Sequence, residues 1–119
     1  MVARCRAVIV SFQSHKLEKV CVDQILLAKK YGLFRAKLIT RRLNELEAAA
    51  CLEDMRHLPN ARSHELVGDR KGTLAVDLGH PYRLIFEPDH VPIPRKVEGG
   101  LDWTIVTAIR ILAVEDYHD

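Results

Sequence analysis

Three places in this chain carry side chains suited to moving a proton near neutral pH. His64 opens the short run "HELVG", Arg83 interrupts the apolar run "YRLIFEP", and Asp116, Tyr117 and His118 sit side by side in "AVEDYHD". An imidazole titrates near neutral pH and serves as base or acid. A phenol can donate a proton, and a guanidinium holds negative charge, bidentately where geometry permits. Singly, each residue has an ordinary reading. A strand-edge histidine is solvated, an arginine between Tyr82 and Leu84 snorkels to water or pairs with Glu87, and a tyrosine keeps a wet hydroxyl. Their co-occurrence points to metal-independent acid–base chemistry. The chain has no Gly-rich phosphate loop, no HExxH and no nucleophile elbow, and its six histidines show no i, i+4 pairing. Cys5, Cys21 and Cys51 form no CxxC pair. No metal and no cofactor is expected.

These groups need a scaffold. A chain of 119 residues, 48% hydrophobic and 29% charged, is read as one soluble domain over residues 1–119. Its net charge of +2 is unevenly placed, with ten Lys/Arg against four Asp/Glu in residues 1–50 and eight against twelve thereafter. That asymmetry fits either a solvated basic helix face or a surface that meets a polyanion or acidic partner. Cysteine usage predicts a reducing cytoplasm. The apolar run Ala7 to Val10 is too short for a signal peptide or membrane span, so no membrane association is expected.

Periodicity supplies the elements. "CRAVIVSF" (Cys5 to Phe12) is a β-branched first strand. Ser14 caps a first helix carrying Leu17, Val20, Cys21, Ile25 and Ala28, closed by Gly32. A second helix buries Ala36, Ile39, Leu43, Leu46 and Ala50, with Arg35, Lys37, Arg41, Arg42 and Glu45 elsewhere around it. Further strands follow: "HELVG", then "GTLAVDL" with Leu74, Val76 and Leu78 on one face, then "YRLIFEP" with Tyr82, Leu84 and Phe86 on one face. Residues Pro88 to Gly100 form the loop at a hairpin tip, and "WTIVTAIRILAV" is the last strand. The order β-α-α-β-β-β-β is that of an α+β domain with a curved, mainly antiparallel sheet and two helices on one face.

The motifs "RLNELEA", "HELVGDRKG", "YRLIF" and "DYH", in this order, resemble the HigB branch of the RelE/ParE superfamily of bacterial toxins. The likeness covers roughly Lys37 to Phe86 and the C-terminus. It implies the small α+β RelE/ParE-like fold and a cytoplasmic toxin of a type II toxin–antitoxin system. Such a toxin is a ribosome-dependent endoribonuclease acting on mRNA and is held by a cognate antitoxin, in this branch of helix-turn-helix type. By resemblance the catalytic positions fall on His64, Arg83, Asp116, Tyr117 and His118, with Asp116 orienting a histidine. Arg70 and Lys71 would meet RNA phosphates. The chain departs from the family's H-K-L-K-G: Val67 replaces a lysine, and Glu65 is expected to bring negative charge beside the phosphate site. Two other readings remain, a non-enzymatic ParE-type inhibitor of DNA gyrase and a catalytically silent nucleic-acid-binding module on the same scaffold.

Overall fold

The computed structural model describes residues 7–116. Cys5, Tyr117 and His118 lie outside the described residues. Strand β1 (Ile9–Phe12) leads into three helices, α1 (His15–Cys21), α2 (Gln24–Tyr31) and α3 (Leu33–Ala48). After a 3-10 segment (Leu52–His57) come β2 (His64–Glu65), β3 (Leu74–Asp77), β4 (Tyr82–Pro88) and β5 (Ala108–Asp116). The sheet order is β1-β5-β4-β3-β2, with β1–β5 parallel and the other pairs antiparallel.

Where one helix is expected between Ser14 and Gly32, the chain makes two. Ser14 caps α1 by accepting from Leu17 N at 3.1 Å. Asp23 then caps α2, its carboxylate accepting from Ile25 N and Leu26 N. A side chain that satisfies the amides of a new first turn competes with the old helix, and here the new turn wins. Gly32, at φ +85, ends α2 and starts α3.

The main core lies between the helices and one sheet face. Ala36, Ile39, Leu43 and Leu46 of α3 meet Leu74, Val76, Leu84, Phe86, Ile109 and Ile111. Each fully buried aliphatic side chain in this layer contributes about 1.5–3 kcal/mol. The reverse face holds a smaller cluster, Leu66, Ala75 and Ile85 with Leu112 against it.

The last strand starts at Ala108 rather than at Trp103. Asp102 closes a turn, its carboxylate accepting from Thr104 N and its carbonyl from Ile105 N. Trp103 is thereby buried, its indole N–H donating to Glu65 Oε2 at 2.9 Å, with the Arg56 guanidinium 3.7 Å from the ring centre.

One member of the basic helix set is not solvated. Arg42 is 3% exposed and stands among the apolar residues of α3. Its Nε donates to Asp77 O (2.7 Å), Nη2 to Asn60 O (2.9 Å) and Nη1 to Glu45 Oε1 (3.0 Å). Arg35, one heptad earlier, donates to Leu78 O and Gly79 O and lies over the Tyr82 ring. A Cβ on Gly79, already at φ +84, would collide with the Arg35 guanidinium. Buried charge needs hydrogen-bond partners, which Arg42 finds from three directions; Arg35 is held through Nη1, its buried Nε having no partner among the described residues. Together the two arginines fasten α3 to the end of β3. Arg42→Met is expected to lose about 3–5 kcal/mol in urea unfolding, because the acceptors stay behind unpaired. Arg42→Lys should recover little of it, since an ammonium cannot span the same three acceptors.

Candidate active site

Strand register brings two rows of side chains together on the sheet face away from the helices. His64 pairs with Ala75, Ala75 with Ile85, and Ile85 with Ala113. One pleat further, roughly 7 Å on, the row reads Asp77, Arg83, Glu115. A cleft of about 600 Å³ opens beside these rows, lined by Arg62, Ser63, His64, Asp77 and Arg83. Its volume is that of a small-ligand site.

The segment before β2 is held from three sides. Asn60 O takes the Arg42 guanidinium, Asp77 N donates to Ala61 O at 2.7 Å, and Ala61 is fully buried. Arg62 follows in the left-handed region, φ +49, a strained conformation for a residue with a side chain. That turn sets Arg62 O 2.7 Å from His64 Nδ1. A carbonyl only accepts, so Nδ1 carries the proton and the neutral ring keeps its lone pair on Nε2. The exposed imidazole thus stands as a base at Nε2, or as an acid there once charged. Ser63 Oγ, shielded from solvent in the same wall, has no hydrogen-bond partner among the described residues.

Arg83 does not pair with Glu87, which takes Arg110 instead. Its cross-strand neighbour is Glu115, with Arg83 Nη2 and Nε at 2.9 and 3.2 Å from Oε1. Arg70 approaches the same carboxylate in a fork, Nη2 to Oε2 at 2.7 Å and Nη1 to Oε1 at 3.2 Å. Glu115 therefore gathers two guanidinium groups at the edge of the cleft. The Arg70 fork, then Arg83, hold its carboxyl below the usual carboxylate range, against the opposing effect of partial burial. Cys21 is no nucleophile, for burial raises its thiol to about 11. Among the described residues no three His, Cys, Asp or Glu side chains stand together as a metal site.

A β-bulge explains why Glu115, and not Asp116, meets Arg83. The register passes from Ile85↔Ala113 to Phe86↔Ile111, leaving Leu112 without a partner on β4. The extra residue reverses the alternation downstream. Asp116 consequently pairs with Tyr82 and shares the helix-side face. The structure therefore brings His64 and Arg83 together, with Arg70 joined through Glu115, and sets Asp116 on the other side of the strand.

Glu65 corrects a further expectation. It alternates away from His64 and is tied to Trp103, so its charge is not delivered to the cleft face. Val67, 83% exposed, leaves the lysine position of the motif without a cation. Lys71 lines a different pocket from His64. Sequence reasoning missed Asp77, Arg62, Ser63 and Glu115. The alternation of Leu74, Val76 and Leu78 was signal enough to place Asp77 on the opposite face; the other three depend on a turn and a bulge with no local signature.

Because the folded pKa of Glu115 is depressed, the stabilisation from its pairing is present above the unfolded carboxylate value, about 4.3. It is lost as the pH falls through the lower folded value. Glu115→Gln should cost about 1 kcal/mol at neutral pH, a modest figure because solvent screens Arg70. The gap between wild type and variant should close on acidification, as followed by urea denaturation at a series of pH values.

No protein-family model matches this chain, and no curated protein matches it. Among solved structures it is similar to a chain of the YoeB-YefM complex from Staphylococcus aureus, with a TM-score of 0.53 at 16% identity. The match covers 98% of this chain and 100% of that one. At that identity the likeness is one of fold, and the chain has the mixed α+β fold of that neighbour: a five-stranded sheet with helices on one face.

Proposed function

We propose that this protein is a metal-independent endoribonuclease, the cytoplasmic toxin of a type II toxin–antitoxin pair that cuts mRNA on the ribosome. The observation that carries the reading is His64, whose Nδ1–H is held by the Arg62 carbonyl beside a cleft shared with Arg83. The HigB-like order of motifs and the shared fold with a chain of a two-protein complex support a toxin with a cognate antitoxin; the helix-turn-helix type of that antitoxin is supported by the motif order alone.

RNA carries its own nucleophile. His64 Nε2 takes the proton of the 2′-hydroxyl as that oxygen bonds to phosphorus, and the bond from phosphorus to the 5′-oxygen breaks. Arg83 stabilises the added negative charge on the non-bridging oxygens. An acid protonates the leaving 5′-oxygen, leaving a 2′,3′-cyclic phosphate and a 5′-hydroxyl. We assign that acid to His118 or Tyr117; Asp116, which pairs with Tyr82 on the helix-side face, takes no part in this assignment. Arg70 stands beside the phosphate and Glu115 positions both guanidinium groups. Charge-assisted hydrogen bonds of this geometry keep a cation oriented before substrate arrives.

Expression in a bacterial host with mapping of RNA 5′ ends tests this. Wild type should yield new 5′-hydroxyl ends inside translated messages. His64→Ala and Arg83→Ala should each reduce them by about a hundredfold or more. Growth arrest without new ends in the wild type would overturn the ribonuclease and favour an inhibitor of ParE type. Neither arrest nor ends would favour the silent module, to which the uncharged Val67 lends its weight.

A further inference from the structure

A second pocket lies at the other end of the strands, where β3 begins and β4 ends. It has a volume of about 580 Å³ and a floor of Pro88, Ile93 and Leu101. Lys71 and Arg95 stand at its wall, both exposed. Among the described residues neither side chain has an ion-pair or hydrogen-bond partner. The wall carrying Arg95 is a built feature. Arg95 bridges Leu101, Lys96 N donates to Gly100 O at 2.7 Å, and Asp102 N donates to Pro94 O at 3.1 Å. Glu65 also reaches this pocket, but its carboxylate is tied to Trp103.

Two unpaired cations beside a concave apolar floor match a ligand with one anionic group and one flat apolar body. A nucleotide has that form. Continuity with the first cleft favours RNA over an acidic peptide, because consecutive residues of one turn serve both places. Arg70 reaches Glu115 and Arg83, whereas Lys71 lines the second pocket. We propose that this pocket is a subsite for a flanking nucleotide of single-stranded RNA, with a phosphate between Lys71 and Arg95 and its base on Ile93 and Leu101. The proposal rests on the ribonuclease reading for its ligand class, and it adds a site away from the reacting groups.

The test uses the full chain and a single-stranded 2′-O-methyl oligoribonucleotide, which lacks the attacking hydroxyl, carrying one 4-thiouracil for photocrosslinking. Binding is measured over a salt series for wild type, Arg83→Ala, Arg95→Ala and Gly100→Trp. Gly100 lines the pocket and a Cβ there meets nothing within 4 Å, so a bulky side chain can be placed at the pocket's rim without opposing the fold. Arg95→Ala should weaken binding and flatten the plot of log K against log salt by about 0.7, one phosphate contact on a single strand. Gly100→Trp should weaken binding, and crosslinks should map to residues 93–101. An unchanged slope with crosslinks confined to the His64 cleft would overturn the subsite and leave the ribonuclease reading intact. Binding that depends on Arg95 but not on Arg83 would keep the subsite and sink the reading of the first cleft. AMP that competes as strongly as the oligonucleotide would replace a strand subsite by a free-nucleotide site, overturning the proposal. So would an Asp/Glu-rich peptide whose binding depends on Arg95 when that of RNA does not.

Discussion

A single buried guanidinium organises this molecule. Arg42 sits on the apolar face of α3, where a leucine would serve the core as well, and hydrogen-bonds the carbonyls of Asp77 and Asn60 and the carboxylate of Glu45. Those carbonyls belong to the end of β3 and to the segment that delivers His64. One side chain therefore ties the helix layer to both walls of the candidate site. A charge in such surroundings demands every partner it has, because an unpaired one costs several kcal/mol, so the arrangement is permitted in few geometries. Arg35 repeats the device one heptad earlier on the turn between β3 and β4. In both cases a charge near the helix layer fixes backbone that no hydrophobic contact alone would orient.

The site itself is organised around a carboxylate. Glu115 gathers Arg70 and Arg83 from two other parts of the chain, and its acidity is strengthened by them. An anion already seated between two guanidinium groups marks the geometry that a phosphate would occupy or adjoin, and it keeps like charges from driving those arginines apart. The strain at Arg62 plays a matching part for His64. A left-handed residue costs about 1 kcal/mol or more, and here its carbonyl fixes the imidazole tautomer. Cation and imidazole are thus both oriented by their neighbours, as a preorganised site requires.

Much of this was legible residue by residue. The alternation of Leu74, Val76, Leu84 and Phe86 identified the core face, and the spacing of Ala36, Ile39, Leu43 and Leu46 identified the buried stripe of α3. The α+β order of elements followed from them. Helix number is not legible, because Asp23 reads equally well as an ordinary polar residue inside a helix and as the cap that starts a new one. The start of the last strand is not legible, because apolar content alone does not separate a strand from a buried turn around Trp103. The burial of Arg42 is not legible either, since burial of a charge depends on acceptors that arrive from distant sequence.

The amino-acid sequence by itself determined the repertoire of this protein: which segments form strands and helices, which faces are apolar, and that imidazole and guanidinium groups flank the strands on which a cleft forms. These properties depend on backbone period and side-chain type, both local. Only the tertiary structure decided which charges meet. Cross-strand register, and the bulge at Leu112 within it, turned Glu115 rather than Asp116 toward Arg83 and sent Glu65 to Trp103. A register is a relation between two strands, so one inserted residue reverses every facing beyond it, and no pattern within either strand alone records that choice.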